Sequence, residues 1–353
     1  MKTSKDLLAA AGKRRVRILV IGDILRDVYL TGSVKRISPE APVPVFQREK
    51  EESFPGGAGN VACQFRHWNA EIVLLGFVDW RTSLLLQAAD MDTTACVPLC
   101  KGVNPVKYRF LSEGQILFRE DVEYPRYGQT DFAALHCRLE PMFQKALETK
   151  PDIVLLSDYQ KHTFDAPTAR TIIKSCRDAN VPALVNFKAG PLGWWEEATF
   201  MQMNKDAARA LQLHGSLPPR VVVTWGGYGY SLWDVDDRQQ KCPTRIPIEP
   251  ANVVGAGDCF LAHLGLALAH GFSFPDAAEF AYQAGRAYVR GNMNRPVLPQ
   301  EVLAETDPLA AKIGTVEEIR LYLQNRRQGS GQGLKIVFTN GVFDLLHPGH
   351  LHL

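Results

Sequence analysis

Residues 151–188 read PDIVLLSDYQKHTFDAPTARTIIKSCRDANVPALVNFK, and this stretch decides the fold. Asp152-Ile-Val-Leu-Leu-Ser157 is a continuous apolar run of strand length, Ala166 to Ala179 reads as a helix, and Ala183-Leu-Val-Asn186 is a second short apolar run. Strand, helix and strand in that order make a βαβ unit, which requires a parallel sheet covered by helices. The pattern extends both ways. Phe132 to Leu147 reads as a helix before it, Phe200-Met-Gln-Met-Asn204 and Arg220-Val-Val-Val-Thr224 as strands after it, and the last ends in Trp225-Gly-Gly-Tyr-Gly229. The repetition predicts an α/β chain with a mostly parallel central sheet and helices on both faces. Asp158, Asn186, Lys188, Asn204 and Thr224 all fall at carboxyl ends of these strands. That is the edge where ligands bind in open α/β sheets.

Working toward the amino terminus, Val16 to Gly22 is a β-branched run ending in glycine, followed at its carboxyl end by Asp23 and Asp27. Either carboxylate is a ligand group or an ordinary loop and cap residue. Arg36-Ile-Ser-Pro-Glu-Ala-Pro-Val-Pro-Val45 is expected to be extended chain on a sheet edge, because its prolines cannot donate to a ladder. Arg36 would reach an anion from such a lid or stand solvated. Pro55-Gly-Gly-Ala-Gly-Asn60 brings backbone close to something at Gly56 and Gly57 and opens a helix from about Asn60 to Trp68. Asn60 offers a donor and acceptors suited to a hydroxyl. Ile72 to Val78 reads as a strand and Asn104 to Glu123 as a hairpin. Lys107, Arg109 and Arg119 project from it, either as a clamp for phosphate oxygens or as the solvent face of an edge strand.

Toward the carboxyl side, Asn252-Val-Val-Gly-Ala-Gly-Asp258 runs into the apolar segment Cys259 to Ala269, interrupted by His263, which reads as a core helix. A glycine turn ahead of a helix directs free N–H groups and the positive end of the dipole at one point. This is an anion site, with the Asp258 carboxylate beside it. Read blandly, it is a turn whose Asp258 complements the dipole.

Composition sets the broad class. The 353 residues, 46% hydrophobic and 22% charged, suit a large globular α/β chain, and a formal net charge of +2 points to neither nucleic acid nor a membrane surface. Seven scattered cysteines without C-x-x-C argue against a disulfide framework or zinc site. Residues 1–17 are polar and basic, unlike a secretory signal, so the expected location is the cytoplasm.

The ordered set Gly22-Asp-Ile-Leu-Arg-Asp27, Gly56-Gly-Ala-Gly-Asn60, Leu156-Ser-Asp-Tyr159, Thr224-Trp-Gly-Gly-Tyr-Gly229 and Gly255-Ala-Gly-Asp258 resembles the ribokinase-like (PfkB) carbohydrate kinases over roughly residues 16–300. With the Arg36–Val45 segment it looks like the heptose-7-phosphate kinase half of the bifunctional enzymes that make ADP-heptose for lipopolysaccharide core. The resemblance implies that Asp258 is the base and that Gly255, Ala256 and Gly257 form the anion hole for the transferring phosphoryl group. It implies that Lys188, Asn204, Thr224, Gly226 and Gly229 line an ATP site. Asp27, Arg36, Gly56, Gly57, Asn60, Lys107, Arg109 and Arg119 would hold the sugar and its phosphate. Magnesium would travel with ATP, and a homodimer is expected from strands that need covering.

Departures from the family pattern accompany the match. Asn252 and Val254 stand where Asp and Thr are usual, which leaves activation by a monovalent cation open. Asn186 replaces a carboxylate, and Ala207 or Ala208 occupies the place of an acidic residue. The segment after Val78 lacks a Gly-Asp-Asp step. A kinase of another sugar or nucleoside, and a weakened relative that only binds, are therefore carried beside the leading reading.

The kinase domain is expected over residues 1–315, with lid parts near 28–54 and 104–123, and a helix and Gly/Ser/Gln linker over 316–333. Residues 334–353, with Phe338-Thr-Asn-Gly341, Phe343-Asp344, His347 and His350, resemble the first strand and turn of a nucleotidyltransferase domain. In that family the two histidines stabilise charge on nucleotide phosphates. Because the sequence given stops at Leu353, adenylyltransferase activity is expected to be absent from it.

Overall fold

Two packed cores, one on each face of a central sheet, fix the architecture. The computed structural model describes residues 2–99, 102–123, 131–211, 220–233, 240–242, 253–291, 294–307, 316 and 319–320. In chain order the elements begin α1 (Ser4–Lys13), β1 (Val16–Gly22), β2 (Ile24–Ile37), β3 (Pro44–Gly57), α2 (Ala58–Cys63), β4 (Ala70–Leu75), β5 (Phe77–Val78), α3 (Trp80–Ala88) and β6 (Val97–Pro98). They continue with β7 (Val106–Ser112), β8 (Gln115–Val122), α4 (Phe132–Glu148), β9 (Ile153–Ser157), α5 (Ala166–Asp178), β10 (Ala183–Phe187), β11 (Phe200–Asn204), α6 (Lys205–Leu211) and β12 (Val221–Thr224). Last come β13 (Tyr230–Trp233), β14 (Gln240–Cys242), α7 (Ala256–Ala269), α8 (Phe274–Val289) and α9 (Pro299–Ala304).

Among these residues the main sheet runs β14-β13-β12-β11-β10-β9-β1-β4. It is parallel from β4 through β12 and antiparallel at β12–β13 and β13–β14, so the mostly parallel expectation holds. Alternation explains why the strands read as unbroken apolar runs. Ile18, Val20, Ile153, Leu155 and Leu184 pack beneath α7 and α8, while Leu19, Ile21, Val154, Leu156 and Val185 pack against α4 and α5. Each such side chain stabilises by about 1.5–3 kcal/mol on burial. Helix α7 is apolar nearly all round, with Leu261, Leu264 and Leu266 fully buried, as its position between the sheet and α8 demands. His263 within it is buried against Trp68 and Phe280, and desolvation holds its imidazole down at about 4.

A second, four-stranded sheet, β3-β2-β7-β8, is built from the segments expected to form a lid. Several expected boundaries move. Arg36–Val45 is not an edge strand of its own: β2 ends at Ile37, the chain turns with Ser38 N–H donating to Val43 O (2.8 Å), and β3 returns from Pro44. Pro39 and Pro42 cannot pair, so they sit in the turn. The expected 72–78 strand splits at Gly76, where a Cβ would lie 2.5 Å from Gly22 O. The helix expected over 60–68 starts earlier and is shorter, Ala58–Cys63, and α1 was not anticipated at all. Most of the expected 317–327 helix, the 328–333 linker, and His347 and His350 lie outside the described residues.

Candidate active site

Asp258 sits in the first turn of α7, 2% exposed. Gly255 caps that helix in the left-handed region (φ 81°), and a Cβ there would overlap the Tyr288 hydroxyl, so only glycine fits. Tyr288 in turn donates to Val254 O (2.8 Å), which closes the turn from α8. A Cβ on Gly257 would lie 3.2 Å from Lys188 Nζ, so the bare backbone lets an ammonium stand against the helix start. Helix dipole and ammonium therefore converge beside Asp258. One detail differs from the expected anion hole: Ala256 N–H closes a turn onto Val253 O at 3.3 Å, so it is not free to face an anion.

The Asp258 carboxylate is held at both oxygens. Tyr159 OH donates to Oδ1 (2.7 Å) and Asn60 Nδ2 donates to Oδ2 (3.1 Å). Asn60 is itself oriented by Gln64, whose Nε2 donates to Asn60 Oδ1 at 3.2 Å. Burial pushes the Asp258 carboxyl above the ordinary carboxylate range, while the Lys188 charge and the two hydrogen bonds pull it back.

Asp27 is the second buried carboxylate. Its Oδ1 accepts from Arg109 (2.6 Å) and its Oδ2 from Asn294 Nδ2 (2.6 Å). A Cβ on Gly56 would lie 2.5 Å from Asp27 Oδ2, which accounts for the glycine. This corrects the reading of the lid cations as one phosphate clamp. Arg109 is 5% exposed and committed to Asp27, and Arg119 is hydrogen-bonded to its own neighbour Asp121. Lys107, paired in register with Asp27, is a half-buried ammonium that desolvation makes easier to deprotonate; its Nζ lies 4.8 Å from the centre of the Tyr159 ring. Arg36 is exposed at the far end of β2, away from this cluster in sequence register.

On the strand-end rim, Asn204 and Thr224 are register partners on β11 and β12. Asn204 Oδ1 is spent on Ala207 N–H (2.8 Å), capping α6, and Ala207 is buried. Gly226 and Gly229 follow with positive φ (62° and 98°), forming an open turn at the same edge. Ser157, Asn186 and Gln202 share one register row, and each has a buried polar atom without a partner among the described residues. Gln202 Nε2 meanwhile donates to Gly257 O (3.0 Å), tying that row to the helix start. Asp158 is buried beside Asp23, and burial first, then the Asp23 charge, raises its carboxyl to about 6. Asp23 is structural: it accepts the backbone N–H groups of Tyr159, Lys161 and Thr163 and folds the loop after β9. Asn252 lies outside the described residues.

Sequence reasoning gave no role to Tyr159, which it quoted only within the Leu156–Tyr159 motif, nor to Gln64, Gln202 or Asn294. Tyr159 was within reach, since it follows Asp158 directly on the strand-end rim. Asn294 meets Asp27 across 267 positions, and no local signal announces that.

Residues 192–299 match the pfkB family carbohydrate kinases. The bifunctional protein HldE of Caulobacter vibrioides is 33% identical, covering 98% of this chain and 74% of its own length. The chain belongs to the HldE family. The Nitrosococcus oceani HldE is also 33% identical over 95% of this chain, and with the pfkB match this makes the chain a sugar kinase. The fold is ribokinase-like. Phosphofructokinase-2 from Escherichia coli, solved with potassium, superposes with a TM-score of 0.65 at 17% identity, over 82% of this chain and 97% of its own. Arabidopsis thaliana ribokinase, solved with ribose and ATP, gives 0.61 at 15% identity, over 83% and 99%. Among the described residues no helix is long and apolar enough to cross a membrane.

Proposed function

We propose that this HldE relative transfers the γ-phosphoryl group of ATP to the anomeric hydroxyl of D-glycero-D-manno-heptose 7-phosphate, giving the 1,7-bisphosphate. The observation that carries the reading is Asp258: a buried carboxylate, fixed at both oxygens, at the amino end of α7 and beside Lys188. Such a group takes the acceptor proton as the oxygen attacks, while Lys188 and the helix start offset charge on the phosphoryl oxygens. The open turn at Gly226–Gly229, with Thr224, suits the rest of the nucleotide, since bare backbone admits a flat ring. Asp27 and Asn60 offer acceptors and donors to sugar hydroxyls. Lys107, and Arg119 once it leaves Asp121, are the lid cations that suit the sugar's own phosphate.

Magnesium bound to ATP spreads the charge of its phosphates. Among the described residues no cluster of three or more His, Cys, Asp or Glu is placed to hold a divalent ion, and the rim positions Asn186 and Gln202 are amides. No step here depends on such a site.

The reading is tested by a coupled ADP-release screen over sugars, sugar phosphates and nucleosides. Heptose 7-phosphate is expected to be preferred, and loss of its phosphate to lower kcat/KM by about tenfold or more, the scale of one charge-assisted contact. Faster turnover of an unphosphorylated sugar or nucleoside would transfer the assignment to that substrate.

A second copy of the chain is the proposed cover for the lid edge. Ile116, Leu117 and Phe118 on β8 are about half exposed (53%, 46% and 50%), an apolar edge strand of the kind proteins do not leave open. Light scattering should give a dimer for the full chain and a monomer for Phe118→Glu; a monomeric wild type at micromolar concentration would sink this.

A further inference from the structure

Tyr159 has no role in the transfer as described so far, yet groups from several elements of the site meet on it. Its hydroxyl donates to Asp258 Oδ1 (2.7 Å). Lys107 Nζ from the lid and Lys188 Nζ from the end of β10 lie 4.8 Å and 4.5 Å from the centre of its ring. Its backbone is tied to Asp23, which accepts Tyr159 N–H at 2.7 Å and Lys161 N–H at 3.0 Å. The residues around it, Gln160 and His162, are held at φ 57° and 71°, a region that side chains seldom adopt. A loop wound this way must be over-determined by its contacts, and such conformations gather at functional sites.

The chemistry of the phenol fits the place. A carboxylate here would neutralise the two ammonium groups. An aromatic ring attracts them through its quadrupole without cancelling their charge, leaving it for phosphate oxygens. The hydroxyl is buried next to carboxylates, which keeps it protonated and so a permanent donor to Asp258.

We propose that Tyr159 is a positioning residue for phosphoryl transfer, its hydroxyl setting the Asp258 carboxylate and its ring holding the Lys107 and Lys188 ammonium groups beside it. The inference rests on Asp258 being the base. The charged and titratable groups facing Asp258 are Lys188 beyond β10, Asp27 and Lys107 from the lid, Tyr288 from α8, Cys259 on its own helix, and Tyr159 itself. Of these, Lys188, Tyr159 and Lys107 favour the ionised carboxylate, and Asn60 adds a second hydrogen bond. Deleting the phenol oxygen therefore makes Asp258 harder to ionise, and activity should need a higher pH.

The test compares Tyr159→Phe, Tyr159→Leu and Asp258→Asn in the full chain, with ATP and the sugar phosphate found in the screen. Tyr159→Phe keeps the ring. It should lower kcat by about tenfold, leave both KM values within about threefold, and move the acid limb of the kcat profile up by about half a pH unit or more. Tyr159→Leu removes the ring as well and should in addition raise KM for both substrates by about tenfold. Site-specific 3-fluorotyrosine, a stronger donor of the same shape, should move the acid limb down, and this holds the question open to test even if a substitution folds poorly. An unmoved acid limb in both the Phe and fluorotyrosine enzymes, with Asp258→Asn inactive, overturns the role of Tyr159 alone. Retained turnover in Asp258→Asn overturns the base assignment, and this inference with it.

Discussion

Asp258→Asn should lower kcat for sugar phosphorylation by about 10²–10⁴-fold, the usual contribution of a positioned base. The substitution removes the only carboxylate oxygen pair at the start of α7 and keeps nearly the same shape. The new amide can still accept from Tyr159 through its oxygen, but its NH₂ then confronts the Asn60 Nδ2 donor at a contact of 3.1 Å in the parent. One buried donor pair is thereby left unsatisfied, at a cost of about 1–3 kcal/mol in stability. Calorimetric binding of ATP should survive, because Lys188, Thr224 and the Gly226–Gly229 turn are untouched. Turnover within tenfold of wild type, with the fold intact by circular dichroism, would show that another group takes the proton.

The separation between what the sequence disclosed and what it hid follows from how each feature is built. The strands of the central sheet were legible because burial on both faces writes an uninterrupted apolar run, as in Ile18–Ile21 and Ile153–Leu156. The helix start at Gly255 was legible because two glycines ahead of an apolar segment leave few alternatives. Helix α1 was not, since a single turn-and-a-half of apolar residues carries it; its signal was the Thr3–Asp6 capping box, where Asp6 N–H donates to Thr3 Oγ1 and Asp6 Oδ2 accepts from Thr3 N–H. Nor could spacing alone show that β2 lies parallel to β7, which sets Asp27 opposite Lys107 and one step from Arg109 on the same face. Alternation along β7 announces a charged face and is silent on what that face meets. The site residues contributed by a glycine turn could thus be read locally, whereas those made by register and by the distant Asn294 needed the fold.

Arg109 shows the consequence most sharply, because its two readings predict different measurements. As a free lid cation it would bind the sugar's phosphate, and Arg109→Ala would raise KM while sparing the fold. In the structure its side chain is buried, pairs at 2.6 Å with the equally buried Asp27 carboxylate, and carries its guanidinium 5.2 Å from the centre of the Tyr29 ring. Removing one partner of a buried pair leaves the other charge without compensation, and that costs about 3–5 kcal/mol. Arg109→Ala should therefore lower the unfolding free energy by this amount in urea titrations. Asn294 still donates to Asp27 Oδ2 and offsets only part of the loss. Adding Asp27→Asn removes the stranded charge, so the double variant should recover roughly half of the stability, a coupling that independent sites would not show. Sugar affinity would not return with it, because the Asp27 carboxylate that suits the hydroxyls is gone. A loss of stability below about 1 kcal/mol, with KM for the sugar phosphate up more than tenfold, would restore Arg109 to the phosphate clamp and set aside its partnership with Asp27 as the reason for its burial.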